Sequence, residues 1–262
     1  MTLPYLTHLA KLGATDLHPL GRRATRCLID SLALQPGQRV LEIGCGTAAT
    51  MVHVVVSEGV HVDGIDILPA MLRVAWRHAR WAGVQERASL ARASGTSLPF
   101  ARASYDRVYT ESVLGFQGEA DAQAMLAQIW RVLRPGGRYV ANEAIWKRST
   151  TPGQVATIYE ASFRDFGLAQ ASEQAWNVDD WLQLMERAGF RILGSERLEK
   201  LLPGRAALRP GPRSLLLTWL YRLQGYLRPR LLRQKWRYRR RLARHLSDGH
   251  FIESRLFVLA KR

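Results

Sequence analysis

The stretch "VLEIGCGTAAT", residues 40–50, constrains the fold more than any other part of the chain. An apolar run of strand type breaks into two glycines around a cysteine, then becomes small and helix-compatible. Glycine at such a turn removes the Cβ that would obstruct a ligand and permits backbone angles that other residues take only with strain. A lone GxG is an ordinary strand-to-helix turn about as often as it is a binding loop, so its neighbours must decide.

Those neighbours alternate. Short apolar runs fall at 39–43, 60–66, 88–92, 105–110, 137–144, 190–198 and 253–261. Between them, "LPAMLRVAWRHARWAG" sets Met71, Leu72, Ala75, Trp76 and Ala79 at helical spacing and stops on Gly83. "EADAQAMLAQIWRVLRPGG" repeats the pattern with Met125, Leu126, Ile129, Trp130 and Leu133 ahead of Pro135. Strand, helix, strand, helix predicts an α/β fold, an open parallel sheet covered on both faces. Ligands of such sheets bind beyond the carboxyl ends of the strands, near the point where strand order reverses. The glycine turn stands at the end of the first strand.

Asp66 gives the turn its meaning. It closes the second run, "VHVDGID", 22 positions after Gly44, near the offset of roughly 20 residues at which an acid holds ribose hydroxyls. A carboxylate can accept both hydroxyl hydrogens of a vicinal diol. The turn reads Gly44, Cys45, Gly46, Thr47, Ala48, Ala49 and lacks the third glycine of a phosphate-binding GxGxxG. The pattern therefore predicts a ribose-bearing ligand without a pyrophosphate.

"VLEIGCGTA", "GIDILPAML", "SLPFARASYDRVYTESVL" and "IWRVLRPGGRYV" follow one another in this order and spacing. Together they resemble the class I S-adenosylmethionine-dependent methyltransferases, in their small-molecule branch, over residues 18–199 plus the last strand. The resemblance implies a Rossmann-like, seven-stranded sheet of order 3-2-1-4-5-7-6 and S-adenosylmethionine as cofactor. It places Glu42, Gly44, Cys45 and Gly46 at the methionine end, Asp66 at the ribose, and Ile67 and Met71 beside the adenine. Ser94 stands where the family usually carries an Asp for the adenine amino group, leaving backbone groups of Ser94 and Gly95, followed by Thr96, to meet the adenine edge. Ala48 stands where a third glycine is common.

Methyl transfer from a sulfonium asks the protein mainly to bind, orient and exclude water. A base is useful only where a proton must leave the acceptor. Glu111, at the end of the fourth run and also beside the cofactor by resemblance, and Glu143, at the end of the fifth, are the candidate bases. Each has a structural alternative: Glu111 orients the cofactor, and Glu143 caps a loop or binds an arginine. His18, in the segment that folds over the cofactor in this family, is a further candidate. No pair of His or Cys has metal-ligand spacing, so no metal is expected. Tyr159, Phe163, Phe166, Trp176 and Trp181 are candidates to roof an apolar acceptor pocket, or to seat helices on the sheet.

The formal charge of +16 is not spread evenly. Residues 200–247 hold 14 of the 38 basic residues and none of the 22 acidic ones, so the rest is nearly neutral. Leu215, Leu216, Trp219, Leu220 and Leu223 share one helical face, which the spacing predicts is buried, with Arg222, Arg228 and Arg230 in water. Three partners suit residues 214–247: a lid or homodimer contact, a membrane surface, or nucleic acid, the last least favoured for want of a base-reading module. The expected organisation is an N-terminal helical lid (1–34), a methyltransferase core (35–199 and 251–262) and an Arg-rich helical insertion (200–250). With Cys27 and Cys45 alone, no disulfide framework is available, and no signal peptide or membrane span is read, so the expected location is cytoplasmic or peripheral at a membrane. The expected activity is methylation of a small apolar or aromatic acceptor. The rivals are an RNA methyltransferase and a cofactor-binding regulatory protein without turnover.

Overall fold

The computed structural model describes residues 3–15, 18, 20–204, 206–209 and 211–262. Seven strands, β1 (Arg39–Ile43), β2 (His61–Asp66), β3 (Ala88–Arg92), β4 (Tyr105–Glu111), β5 (Leu133–Trp146), β6 (Phe190–Arg197) and β7 (Ile252–Lys261), form one sheet in the order β3-β2-β1-β4-β5-β7-β6. Strands β1 to β5 pair in parallel, and β7 runs antiparallel between β5 and β6. This is the expected order, and it reverses between β1 and β4. The carboxyl ends of those two strands therefore open a crevice.

The central strands are continuous apolar runs because both faces are covered. On one face α2 (Gly21–Leu32), α3 (Ala49–Glu58) and α4 (Pro69–Ala82) bury Leu28, Met51 and Ala75 against Val40 and Val62. On the other, α5 (Glu119–Val132) and α7 (Val178–Arg187) bury Leu126, Ile129 and Trp181 against Leu41 and Val108. Helix α4 ends as predicted on Gly83, whose φ of +74° suits glycine and whose N–H donates to the carbonyls of Ala79 and Arg80. Strand β5 begins at Leu133, earlier than the expected 137, because Leu133 already pairs with Tyr105 and Pro135 cannot extend α5.

Two elements differ from expectation. Helix α2 is part of the core: Ala24, Cys27, Leu28 and Leu32 are buried, and Arg107 and Arg138 donate to the carbonyls of Leu32 (2.7 Å) and Ser31 (2.6 Å) at its C-terminus. Covering falls instead to α1 (Pro4–Lys11), packed on α4 through Leu3, Ala10, Met71 and Val74.

The second difference lies in the basic segment, where α8 (Leu198–Leu201) leads into α9 (Pro212–Tyr226) and, after a break at Pro229, α10 (Pro229–Arg244). The face of α9 predicted to be buried is the exposed one: Leu217 and Tyr221 point inward, whereas Leu215, Leu216, Trp219 and Leu223 face out. Helix α6 (Pro152–Phe166) is started by a capping box between Thr151 and Gln154. Among the described residues no helix is long and apolar enough to cross a membrane.

Candidate active site

The glycine turn sits where β1 feeds α3. Gly44 (φ +75°) and Gly46 (φ +53°) are both left-handed, and the N–H groups of Gly44 and Cys45 donate to the Ile65 carbonyl at 2.8 and 2.9 Å, locking the turn to β2. A Cβ on Gly44 would stand 2.4 Å from Val113 Cγ2, whereas one on Gly46 would meet nothing within 4 Å among the described residues. Gly44 thus permits close packing, and Gly46 keeps space open for a ligand. Ala48 also takes a left-handed φ of +59°, the conformation for which a glycine at this position would be favoured.

Asp66 lies at the crevice. Its Oδ2 accepts from Gly46 N at 2.9 Å and its Oδ1 from Leu68 N at 2.7 Å. An ionised carboxylate has about four acceptor positions, so each oxygen keeps one for a hydroxyl. Burial pushes the Asp66 carboxyl up, opposed by those backbone N–H groups.

Glu42 and Glu111 form the acidic floor. Glu42 is buried, and among the described residues its Oε2 has no hydrogen-bond partner; burial, and then the neighbouring Glu111 carboxylate, push its pKa well up. A buried acid in this position is relieved by a cation, and S-adenosylmethionine carries both a sulfonium and an amino-acid ammonium. Glu111 is already engaged: Thr25 Oγ1 and Asn142 Nδ2 donate to Oε1 at 3.0 and 3.2 Å, Thr50 Oγ1 donates to Oε2 at 2.7 Å, and His18 Nε2 lies 3.6 Å from Oε1. Beyond β3, Ser94 Oγ accepts from Thr96 N at 3.2 Å and holds a turn whose Gly95 has no room for a Cβ beside Met125 and Ile43.

Glu42, Gly44, Cys45, Gly46, Asp66, Ile67, Met71, Ser94, Gly95, Thr96 and Glu111 all line one cavity of about 1070 Å³, as does His18. Glu143 does not. It is buried beneath the loop after β4, with Oε1 accepting from Thr110 Oγ1 at 2.7 Å and Oε2 from the N–H groups of Val113 and Gly115 at 2.9 Å each. A carboxylate so enclosed shapes the loop and has no path to an acceptor, which removes it as a candidate base.

Burial raises the Glu143 carboxyl from 4.5 to about 7, against the opposing pull of its hydrogen bonds. Between those values the unfolded chain has released a proton that the folded chain keeps, so this group's stabilisation is lost as pH rises through the window. Glu143→Gln retains an oxygen for both N–H groups and should abolish that slope, a difference of roughly 3 kcal/mol in the change between pH 5 and pH 8. Urea unfolding at the two pH values checks this, and equal slopes in both proteins would contradict it.

Of the five candidate aromatics only Phe166 reaches the cavity. Tyr159 and Phe163 stack on each other outside it, and Trp176 packs edge-on to the buried Trp181. The cavity's apolar end is built by residues that the sequence did not single out: Leu3, Tyr5 and Leu6 around α1, and Leu242, His245 and Leu246 at the end of α10. Tyr5 packs on Phe166 and Tyr238 at centroid distances of 5.0 and 4.8 Å, tying α1, α6 and α10 into one roof. His245 is held there with Nδ1 2.7 Å from Asp248 Oδ2 and Nε2 3.2 Å from Asp165 Oδ2. No local spacing announces these residues, because three distant helices bring them together.

Residues 40–137 match the family model described as a methyltransferase domain. A Haemophilus influenzae protein without an assigned function is 31% identical over 183 residues, 70% of each chain. Methyltransferase GfsG of Streptomyces halstedii is 30% identical over 66% of this chain and 60% of its own length. The chain belongs to the class I S-adenosylmethionine-dependent methyltransferases. As a methyltransferase it is an enzyme whose cofactor is S-adenosylmethionine, and the open glycine turn, the unpartnered Glu42 oxygen and the spare acceptor positions of Asp66 fit that cofactor. The fold is shared with geranyl diphosphate methyltransferase in complex with S-adenosylmethionine, at a TM-score of 0.66 and 19% identity over 93% of this chain and 86% of that one.

Proposed function

We propose that this methyltransferase acts on a small, apolar or aromatic acceptor held between the cofactor and the roof formed by α1, α6 and α10. The observation that carries this reading is the cavity itself. At about 1070 Å³ it exceeds the usual range of small-molecule sites, and besides the polar residues assigned to the cofactor it is lined by Leu3, Tyr5, Leu6, Phe166, Leu242 and Leu246. Geranyl diphosphate, named for the solved neighbour, has an apolar chain of the kind such a lining suits.

In this reading Asp66 takes the ribose hydroxyls, Glu42 and the Gly44–Gly46 turn hold the charged methionine end, and the turn at Ser94–Thr96 meets the adenine. When bound, the cofactor supplies an activated methyl group for displacement. The chain's own task is to bring the acceptor atom into line, which can contribute roughly 7–11 kcal/mol through proximity and orientation. Glu111, tied by three side-chain donors, orients rather than deprotonates.

Turnover with S-adenosylmethionine and a panel of lipophilic phenols, quinones and prenyl compounds tests the reading. The expected result is S-adenosylhomocysteine release together with a product heavier by one CH2 unit. Leu246→Glu, at an exposed rim position, should raise the acceptor KM about tenfold, the scale of burying one such side chain, with cofactor affinity unchanged. Methylation confined to polar acceptors, with Leu246→Glu silent, would overturn it.

A further inference from the structure

Helix α9 is oriented against the usual rule. Its inward face is Ser214, Leu217, Thr218, Tyr221 and Gly225: Ser214 Oγ meets His78 Nε2 at 2.7 Å, Arg77 donates to the Tyr221 hydroxyl at 3.3 Å, and a Cβ on Gly225 would stand 2.7 Å from Leu12 Cδ2. Its outward face carries Leu215, Leu216, Trp219, Leu223, Tyr226 and the following Leu227, each 40–73% exposed. At about 100° per residue these six fall within an arc of about 120°. An amphipathic helix normally turns such an arc to the core, and a contiguous exposed apolar patch marks an interaction surface.

The neighbouring helix supplies charge of one sign. Arg228, Arg230, Arg233, Arg237, Arg239 and Arg240 are exposed, and residues 200–247 contain no acid. Lys235 sits 4.6 Å over the Tyr226 ring, joining the cationic helix to the apolar arc, and Arg239 lies over exposed Trp236 at 5.6 Å. Aliphatic side chains flanked by Trp and Tyr and bordered by arginines match the boundary layer of an anionic bilayer, where acyl chains, headgroup dipoles and phosphates meet.

We propose that α9 and α10 dock this enzyme on a membrane surface rich in anionic lipid, with the α9 arc sunk to headgroup level and the α10 arginines on lipid phosphates. Nucleic acid would use the arginines and leave six large apolar side chains wet. A second copy meeting the same face would press two sets of arginines together with no acid in 200–247 to pair them. Helix α10 leads on to the cavity rim at Leu242 and Leu246, so the docked segment reaches the mouth of the site. The inference holds whatever the acceptor.

Flotation of the full chain with phosphatidylcholine vesicles, with and without phosphatidylglycerol, at low and high salt, tests it. Binding is expected to the anionic vesicles, weakened but not abolished by salt. Leu216→Gln/Trp219→Gln/Leu223→Gln should reduce it at least tenfold through lost apolar insertion. Arg233→Gln/Arg237→Gln/Arg240→Gln should reduce it about a hundredfold, at about fivefold for each basic side chain near the surface. None of the six residues lines the cavity, so unchanged S-adenosylhomocysteine affinity certifies folded variants and separates this result from the catalytic reading. Failure of folded protein to float with anionic vesicles would overturn the proposal. So would RNA binding indifferent to the α9 substitutions with vesicle binding absent, or loss of a dimer in the α9 variant with vesicle binding unchanged.

Discussion

Asp66→Ala is expected to weaken S-adenosylmethionine binding by more than a hundredfold. Hydrogen bonds to a charged group are worth roughly 1.5–3 kcal/mol each, and the ribose diol would make two with this carboxylate. The Asp66 carboxylate also holds the N–H groups of Gly46 and Leu68, so the substitution loosens the turn as well as removing the contact. Asp66→Asn keeps one acceptor oxygen and should fall between the two proteins. Calorimetric titration with S-adenosylhomocysteine checks the order wild type, Asn, Ala. Equal affinity in all three would mean that the ribose lies elsewhere.

Gly46→Val should abolish measurable cofactor binding. The φ of +53° is costly for any residue with a Cβ, about 1–2 kcal/mol, and worse for a β-branched one. More importantly, the added atoms enter space in which, among the described residues, no atom lies within 4 Å of the Cβ position, the space assigned to the cofactor. Gly44→Ala provides the contrast, because its Cβ would strike Val113 Cγ2 and should lower thermal stability first. Binding lost at Gly46 with the melting temperature lowered only modestly, against stability lost at Gly44, separates a ligand cradle from a packing glycine. Near-normal binding by Gly46→Val would remove the turn from the cofactor site.

Much of this was legible in the sequence because it is local. The strand run Val40–Ile43, the turn glycines and the acid at the next strand end carry their meaning in spacing alone, and the sheet closes as the alternation implied. The acidic pair was half legible: Glu111 lines the cavity, while Glu143, next to the Asn142 that pairs with Glu111, is captured by Thr110 and the loop after β4. Helix α9 misled because Leu215, Leu216, Trp219 and Leu223 do share a face, but which face is buried depends on what stands opposite. Gly13, Arg77 and His78 accept Tyr221 and Ser214 better than a leucine stripe. The cavity's roof was hidden for a related reason, since Tyr5, Phe166 and His245 are brought together by tertiary packing alone.

A crystal structure with bound S-adenosylhomocysteine would show whether the site is arranged as described. The ribose hydroxyls should lie on Asp66, the amino-acid end on Glu42 and the Gly44–Gly46 turn, and the sulfur should face the apolar space beneath Tyr5, Phe166 and Leu246. A ribose away from Asp66, or a sulfur facing a closed wall of the sheet, would contradict both the cofactor placement and the apolar acceptor reading built on it.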